Sequence, residues 1–172
     1  MRILIAEDDV HSLDLSTKAL ESRGHKVIAT SNGKDCLQVY HKSALKSEGK
    51  QELSFKNPFD AVILDYKMPL IDGKQVAKEI LSINPEQRII FVSAYVKETL
   101  MESVKELDQV MELVQKPFEP DVLVDLVENV QSAGLMRNLR SMASRISGDS
   151  THKSDDQIQT LLETLQKIQK AK

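Results

Sequence analysis

The strongest constraint on this chain is a rhythm of four short apolar runs, each closing on polar side chains that can do chemistry. Ile3-Leu4-Ile5-Ala6 closes on Glu7-Asp8-Asp9, and Ala61-Val62-Ile63-Leu64 closes on Asp65. Ile89-Ile90-Phe91-Val92 closes on Ser93, and the run from Val110 to Val114 closes on Gln115-Lys116-Pro117. Near-continuous apolar runs of this length suit strands covered on both faces. Helical periodicity fills the intervals: residues 11–23 with Leu13, Thr17 and Leu20 on one side, 33–48 with Cys36, Leu37 and Tyr40, 74–83 with Val76, Ala77 and Ile80, and then 97–107. A further strand is expected over 26–30, and a fifth helix opening at Pro120, a favoured place for proline. Gly24 stands where a helix end takes positive φ, and Asn84-Pro85 stops the third helix. Residues 47–58 are polar and turn-rich, a surface loop. Strand and helix alternate five times, which predicts an α/β, doubly wound five-stranded parallel sheet with helices on both faces.

At 172 residues the chain suits one such domain plus an appendage. The charge is divided unevenly. Residues 1–129 hold 16 basic against 22 acidic side chains, a net of −6, whereas residues 130–172 hold 7 against 4, a net of +3. In the second stretch Leu135, Leu139, Met142 and Ile146 form one helical stripe flanked by Arg137, Arg140 and Arg145. Residues 147–156 read as a linker, and Ile158, Leu161, Leu162, Leu165 and Ile168 form a last amphipathic helix. The expected division is therefore a domain over 1–133 and a helical extension over 134–172. The three arginines lack interleaved aromatics and any helix-turn-helix pattern, so they read as a solvated edge, and nucleic acid is not an expected partner. No apolar stretch reaches the ~20 residues of a membrane span. The chain opens directly on its first strand, so neither a leader nor a membrane is expected, and the cytoplasm is the default location. The single cysteine, Cys36, excludes an internal disulfide and reads as helix core.

In an open parallel sheet, ligands bind in the crevice at the carboxyl ends of the strands. Adjacent carboxylates there repel each other unless a cation lies between them, and a hard divalent ion such as Mg²⁺ takes oxygen ligands. Glu7, Asp8 and Asp65 offer such a set. An aspartate can also act as a nucleophile, a lysine can swing its point charge onto a phosphate, and a serine hydroxyl can donate to a phosphoryl oxygen. Each signal alone has a plainer reading. Paired acids after a strand often start a helix, the preferred reading for Asp9, and Asp72-Gly73 is most simply a turn before a helix. His11, His25, His41 and His152 share no ligand spacing with each other or with Cys36. The plain readings would have to hold at all four strand ends together, with Met68-Pro69 and Lys116-Pro117 also accidental.

The stretches Ile-Leu-Ile-Ala-Glu-Asp-Asp (3–9), Leu-Asp-Tyr-Lys-Met-Pro-Leu-Ile-Asp-Gly (64–73), Val-Ser-Ala (92–94) and Gln-Lys-Pro-Phe (115–118) resemble the receiver domain of two-component response regulators, over roughly residues 1–130. The resemblance implies a flavodoxin-like strand order 2-1-3-4-5. It implies that Asp65 accepts a phosphoryl group from a histidine kinase or phosphotransfer protein. Asp8, Asp65 and the main-chain carbonyl of Lys67 would bind Mg²⁺, with Glu7 helping through water, while Ser93 and Lys116 would read the phosphate. It further implies a cis Lys116–Pro117 peptide, and an acceptor that assists only its own phosphorylation and dephosphorylation rather than an enzyme. The pattern departs at Leu113, where the family usually carries an aromatic switch residue; Tyr95, two residues past Ser93, is a candidate substitute.

Three functions compete. One is a phosphorylation-dependent switch. The second is a receiver-like adaptor that never relies on phosphate, for which Leu113 speaks. The third is a metal-dependent phosphatase or phosphotransferase, but such enzymes usually hold their nucleophile at the first strand end in an Asp-x-Asp pattern, and here the best nucleophile ends the third. The switch is favoured. The extension is expected to form a homodimer or to dock on a downstream protein partner.

Overall fold

The computed structural model describes residues 1–48, 57–95 and 112–129. They form β1 (Arg2–Ala6), α1 (Val10–Ser22), β2 (Lys26–Thr30), α2 (Gly33–Glu48), β3 (Ala61–Asp65), α3 (Gly73–Ile83), β4 (Ile89–Ser93), β5 (Glu112–Gln115) and α4 (Pro120–Glu128). The helix expected over 97–107, the linker, the extension and the boundary at 133 lie outside the described residues.

All five strands are parallel, in the order β2-β1-β3-β4-β5 that the resemblance implies. Alternation along a strand splits each apolar run between two cores. Leu4, Ala6, Val62, Leu64 and Phe91 pack with Cys36 and Tyr40 of α2 and with Val76 and Ile80 of α3. Ile3, Ile5, Ile63, Val92 and Val114 pack with Leu20 of α1 and with Leu123, Val124 and Val127 of α4. This is why the runs show no polar alternation: neither face meets water.

Helix starts are fixed by short acids. The Asp9 carboxylate accepts from Ser12 N at 2.8 Å, and that bond holds the Asp9 carboxyl below its ordinary range. Asp72 caps α3 in the same way, accepting from Gln75 N at 2.8 Å. Pro120 opens α4, and Gly24 leaves α1 at φ +81°. In α1 the inward positions are Ser16 and Leu20, with Thr17 only half-buried. The helix begins one residue earlier than expected, at Val10.

The described part of β5 starts at Glu112, inside what reads as an apolar run. Glu112 is 1% exposed and is held by Arg88, whose Nε and Nη2 each donate to its carboxylate at 2.8 Å. Arg88 also donates from Nη1 to the Val127 carbonyl and from Nη2 to the Leu126 carbonyl, both at 2.8 Å. A single guanidinium thus neutralises a buried acid and satisfies two terminal carbonyls of α4.

Candidate functional site

The site is assembled by strand register. Ala6 is aligned with Leu64, so Glu7 and Asp65 follow side by side, and Glu7 N continues the ladder to Thr30 O at 3.1 Å. Asp65 is aligned with Val92, which places Ser93 one step further along the neighbouring strand. Lys116 N bonds Ser93 O at 2.9 Å, and the Lys116–Pro117 peptide is cis. Four strand ends far apart in the chain therefore converge on one crevice.

The Lys116 ammonium lies between two acids, 2.9 and 2.7 Å from the Glu7 oxygens and 2.7 Å from Asp65 Oδ2. Both carboxylates are buried, whereas Asp8 is exposed. Burial pushes the Glu7 carboxyl up to about 7; the Lys116 bond opposes that rise, and the Asp65 charge adds to it. For Lys116, burial pulls downward, but its bonds to Asp65 and Glu7 outweigh this and hold its pKa above the ordinary value.

Asp65 Oδ1 accepts from Lys67 N at 3.1 Å. Close packing fixes the loop beyond it: Gly73 N bonds Tyr66 O at 3.1 Å, and a Cβ at Gly73 would run into the Asp65 carbonyl oxygen. Glu7, Asp8 and Asp65 each present a carboxylate oxygen, and the three lie within 4.8 Å of one another. An all-oxygen, anionic donor set of this kind fits Mg²⁺.

Leu113 is buried in the core beside α2 and α3, aligned with Phe91. His25 and His41 pair with Glu128 and Glu79, away from the crevice, and Cys36 is a free, buried thiol. Two features escaped the sequence reading. Lys116, assigned there to phosphate, here bridges Glu7 and Asp65. The ammonium of Lys67 lies 4.0 Å from the centroid of the Tyr95 ring. Neither contact has a local signature, because each joins side chains from different strand ends.

The chain belongs to the response regulator receiver domain family, which matches residues 3–128. It is 31% identical over 129 residues to the uncharacterized transcriptional regulatory protein YbdJ of Bacillus subtilis, covering 75% of this chain and 50% of that protein. It is 30% identical over 129 residues to the response regulator receiver protein CpdR of Brucella abortus, covering 75% of this chain and 95% of CpdR. The chain thus spans half of the first relative and nearly all of the second. Among solved structures, the receiver domain of the histidine kinase CKI1 from Arabidopsis thaliana, complexed with Mg²⁺ and BeF₃⁻, shares the fold at TM-score 0.62 and 23% identity, over 77% of this chain and 89% of that one. The protein is therefore a two-component response regulator receiver. Among the described residues no helix is long and apolar enough to cross a membrane.

Proposed function

We propose that Asp65 is the phosphoacceptor, taking its phosphoryl group from a phosphohistidine on a histidine kinase or phosphotransfer protein. The observation that carries this reading is the Lys116 ammonium 2.7 Å from Asp65, in a crevice that also holds Glu7 and Asp8. A carboxylate oxygen of Asp65 attacks phosphorus, the P–N bond breaks, and the leaving imidazole keeps the electron pair. Lys67 N, donating to Asp65 Oδ1, holds the carboxylate in one orientation for that attack. Lys116 needs only to turn from carboxylate to phosphoryl oxygen to neutralise the new charge. Ser93 Oγ accepts from Tyr95 N at 3.0 Å, and a hydroxyl that accepts one bond can still donate another, here toward the phosphoryl group. Glu7, Asp8, Asp65 and the Lys67 main-chain carbonyl would hold Mg²⁺, which when bound offsets negative charge on the transferring group.

The reaction is the protein's own modification, and its output is a shift between two conformations. An aromatic rotor at position 113 is not available to this chain, so the switch runs through Lys116 and Ser93. The basic, doubly striped extension over 134–172 would carry the result as a homodimer contact or as a dock for a downstream partner. Beryllofluoride with Mg²⁺, or a small phosphodonor, should alter the wild type, read as intrinsic tyrosine fluorescence and sedimentation, and leave Asp65→Asn unchanged. Identical responses of the two proteins would overturn the reading.

A further inference from the structure

A groove of about 370 Å³ lies between α2 and α3, away from the crevice. Its floor is apolar, from Leu37 of α2 and from Ile71 in the loop that runs from Asp65 to the Asp72 cap. Its rim is basic. Lys34 and Lys42 stand on the α2 side, both exposed, and among the described residues neither forms an ion pair. Among the described residues Glu79 of α3 is the sole acid lining the groove, and it is already engaged: His41 Nε2 lies 3.0 Å from its Oε1. One helical turn beyond that pair, Leu45 and Ile83 are 68% and 46% exposed. We infer that this groove is a docking surface for a segment of a protein partner that presents an apolar anchor between acidic residues.

Charge selects the occupant. Residues 1–129 hold 16 basic against 22 acidic side chains, a net of −6, so a cationic rim is a local exception on this domain. The chain's own extension over 130–172, at a net of +3, is repelled by such a rim. Carboxylates of a partner are attracted to it, and charges so placed govern the encounter rate and its salt dependence. An apolar side chain held between those carboxylates leaves water for the Leu37–Ile71 floor. The volume suits an anchor and its neighbours, since it stands near the small end of the about 300–1,000 Å³ that ligand sites occupy. The groove is also preformed. The start of α2 lies hard against the loop, for a Cβ at Gly33 would run into the Ile71 carbonyl oxygen. A receptor that is already ordered loses little freedom on binding. None of these residues enters the phosphoryl chemistry, so the inference stands apart from the role of Asp65.

The test pans a random peptide library on the full chain, with counter-selection on a variant carrying Lys34→Glu and Lys42→Glu together. Selected peptides should place Asp or Glu on either side of Leu, Ile, Met or Phe. A fluorescein-labelled consensus peptide should bind the charge-reversed protein about ten-fold more weakly than the wild type, two exposed attractions having become repulsions. A peptide with lysines in place of its acids should reverse that order, and added salt should weaken wild-type binding. Thermal melts of the two proteins should coincide, because both lysines are exposed; if they do not, Lys34→Gln and Lys42→Gln singly carry the same comparison. On binding, amide NMR shifts should centre on residues 34–42, 71 and 79. Selection without acidic enrichment, equal affinity of wild type and variants, or shifts centred on another face would overturn the proposal. Displacement of the consensus peptide by a synthetic peptide of residues 134–172 would make the extension the occupant. Self-association of the wild type in sedimentation, lost on charge reversal, would make it a second copy. Either result overturns the assignment to a partner protein.

Discussion

At the residue scale, small groups set the geometry of the reactive ones. Gly73 follows the Asp72 cap at the point where α3 comes against the end of β3, and any side chain there meets the Asp65 carbonyl. Gly73→Ala should cost about 1–3 kcal/mol in urea unfolding, the range for overpacking, and should impair phosphoryl acceptance even where the fold survives. Wild-type stability in that variant would show that the approach relaxes without penalty. Cys36 reports on the core. Burial pushes its thiol up to about 12, against an ordinary value of 9.0. Because the folded value is the higher one, its contribution to stability is complete below pH 9 and is lost as pH rises from 9 toward 12. A disulfide-exchange reagent near pH 8 should therefore leave Cys36 untouched in native protein and modify it promptly in denaturant. The residues that line the crevice were legible because each closes an apolar run. The pairing of Lys116 with Glu7 was not, since nothing near either residue in sequence indicates that β1 and β5 deliver their ends to one point.

At the element scale, the strands could be read from their apolar runs, and both Asp9 and Asp72 behave as the helix starts their positions suggested. Glu112 is the instructive case. Counted within an apolar run, it is nonetheless a carboxylate, and it is among the most buried side chains here because Arg88, just ahead of β4, pairs with it. The pairing spans 24 residues, beyond the reach of any periodicity. It also pins the last turn of α4, through the carbonyls of Leu126 and Val127. Arg88→Met should cost about 3–5 kcal/mol in chemical denaturation, since it strands a buried carboxylate. Adding Glu112→Leu should restore most of that loss, because the desolvated charge goes with it. A double variant as unstable as the single one would mean that the lost carbonyl bonds to α4, and not the stranded acid, dominate.

At the scale of the molecule, parallel strands put the ends that lead into Glu7, Asp65, Ser93 and Lys116 at one pole, while the Arg88 clamp on α4 lies toward the other. Alternation of strand and helix made the layered architecture legible. The strand order followed from family resemblance, because several orders satisfy the same alternation. The Lys116 ammonium held between Glu7 and Asp65 has one more consequence. A cluster of acids normally swells apart when stripped of its ions, but this one carries a built-in counterion, the side chain of Lys116 just past the fifth strand. Folding is thereby separated from loading: with all divalent ions chelated, the protein should keep its native circular dichroism and a single cooperative melt, and lose only the response to beryllofluoride. Such a receiver can wait, assembled and empty, for whichever arrives first.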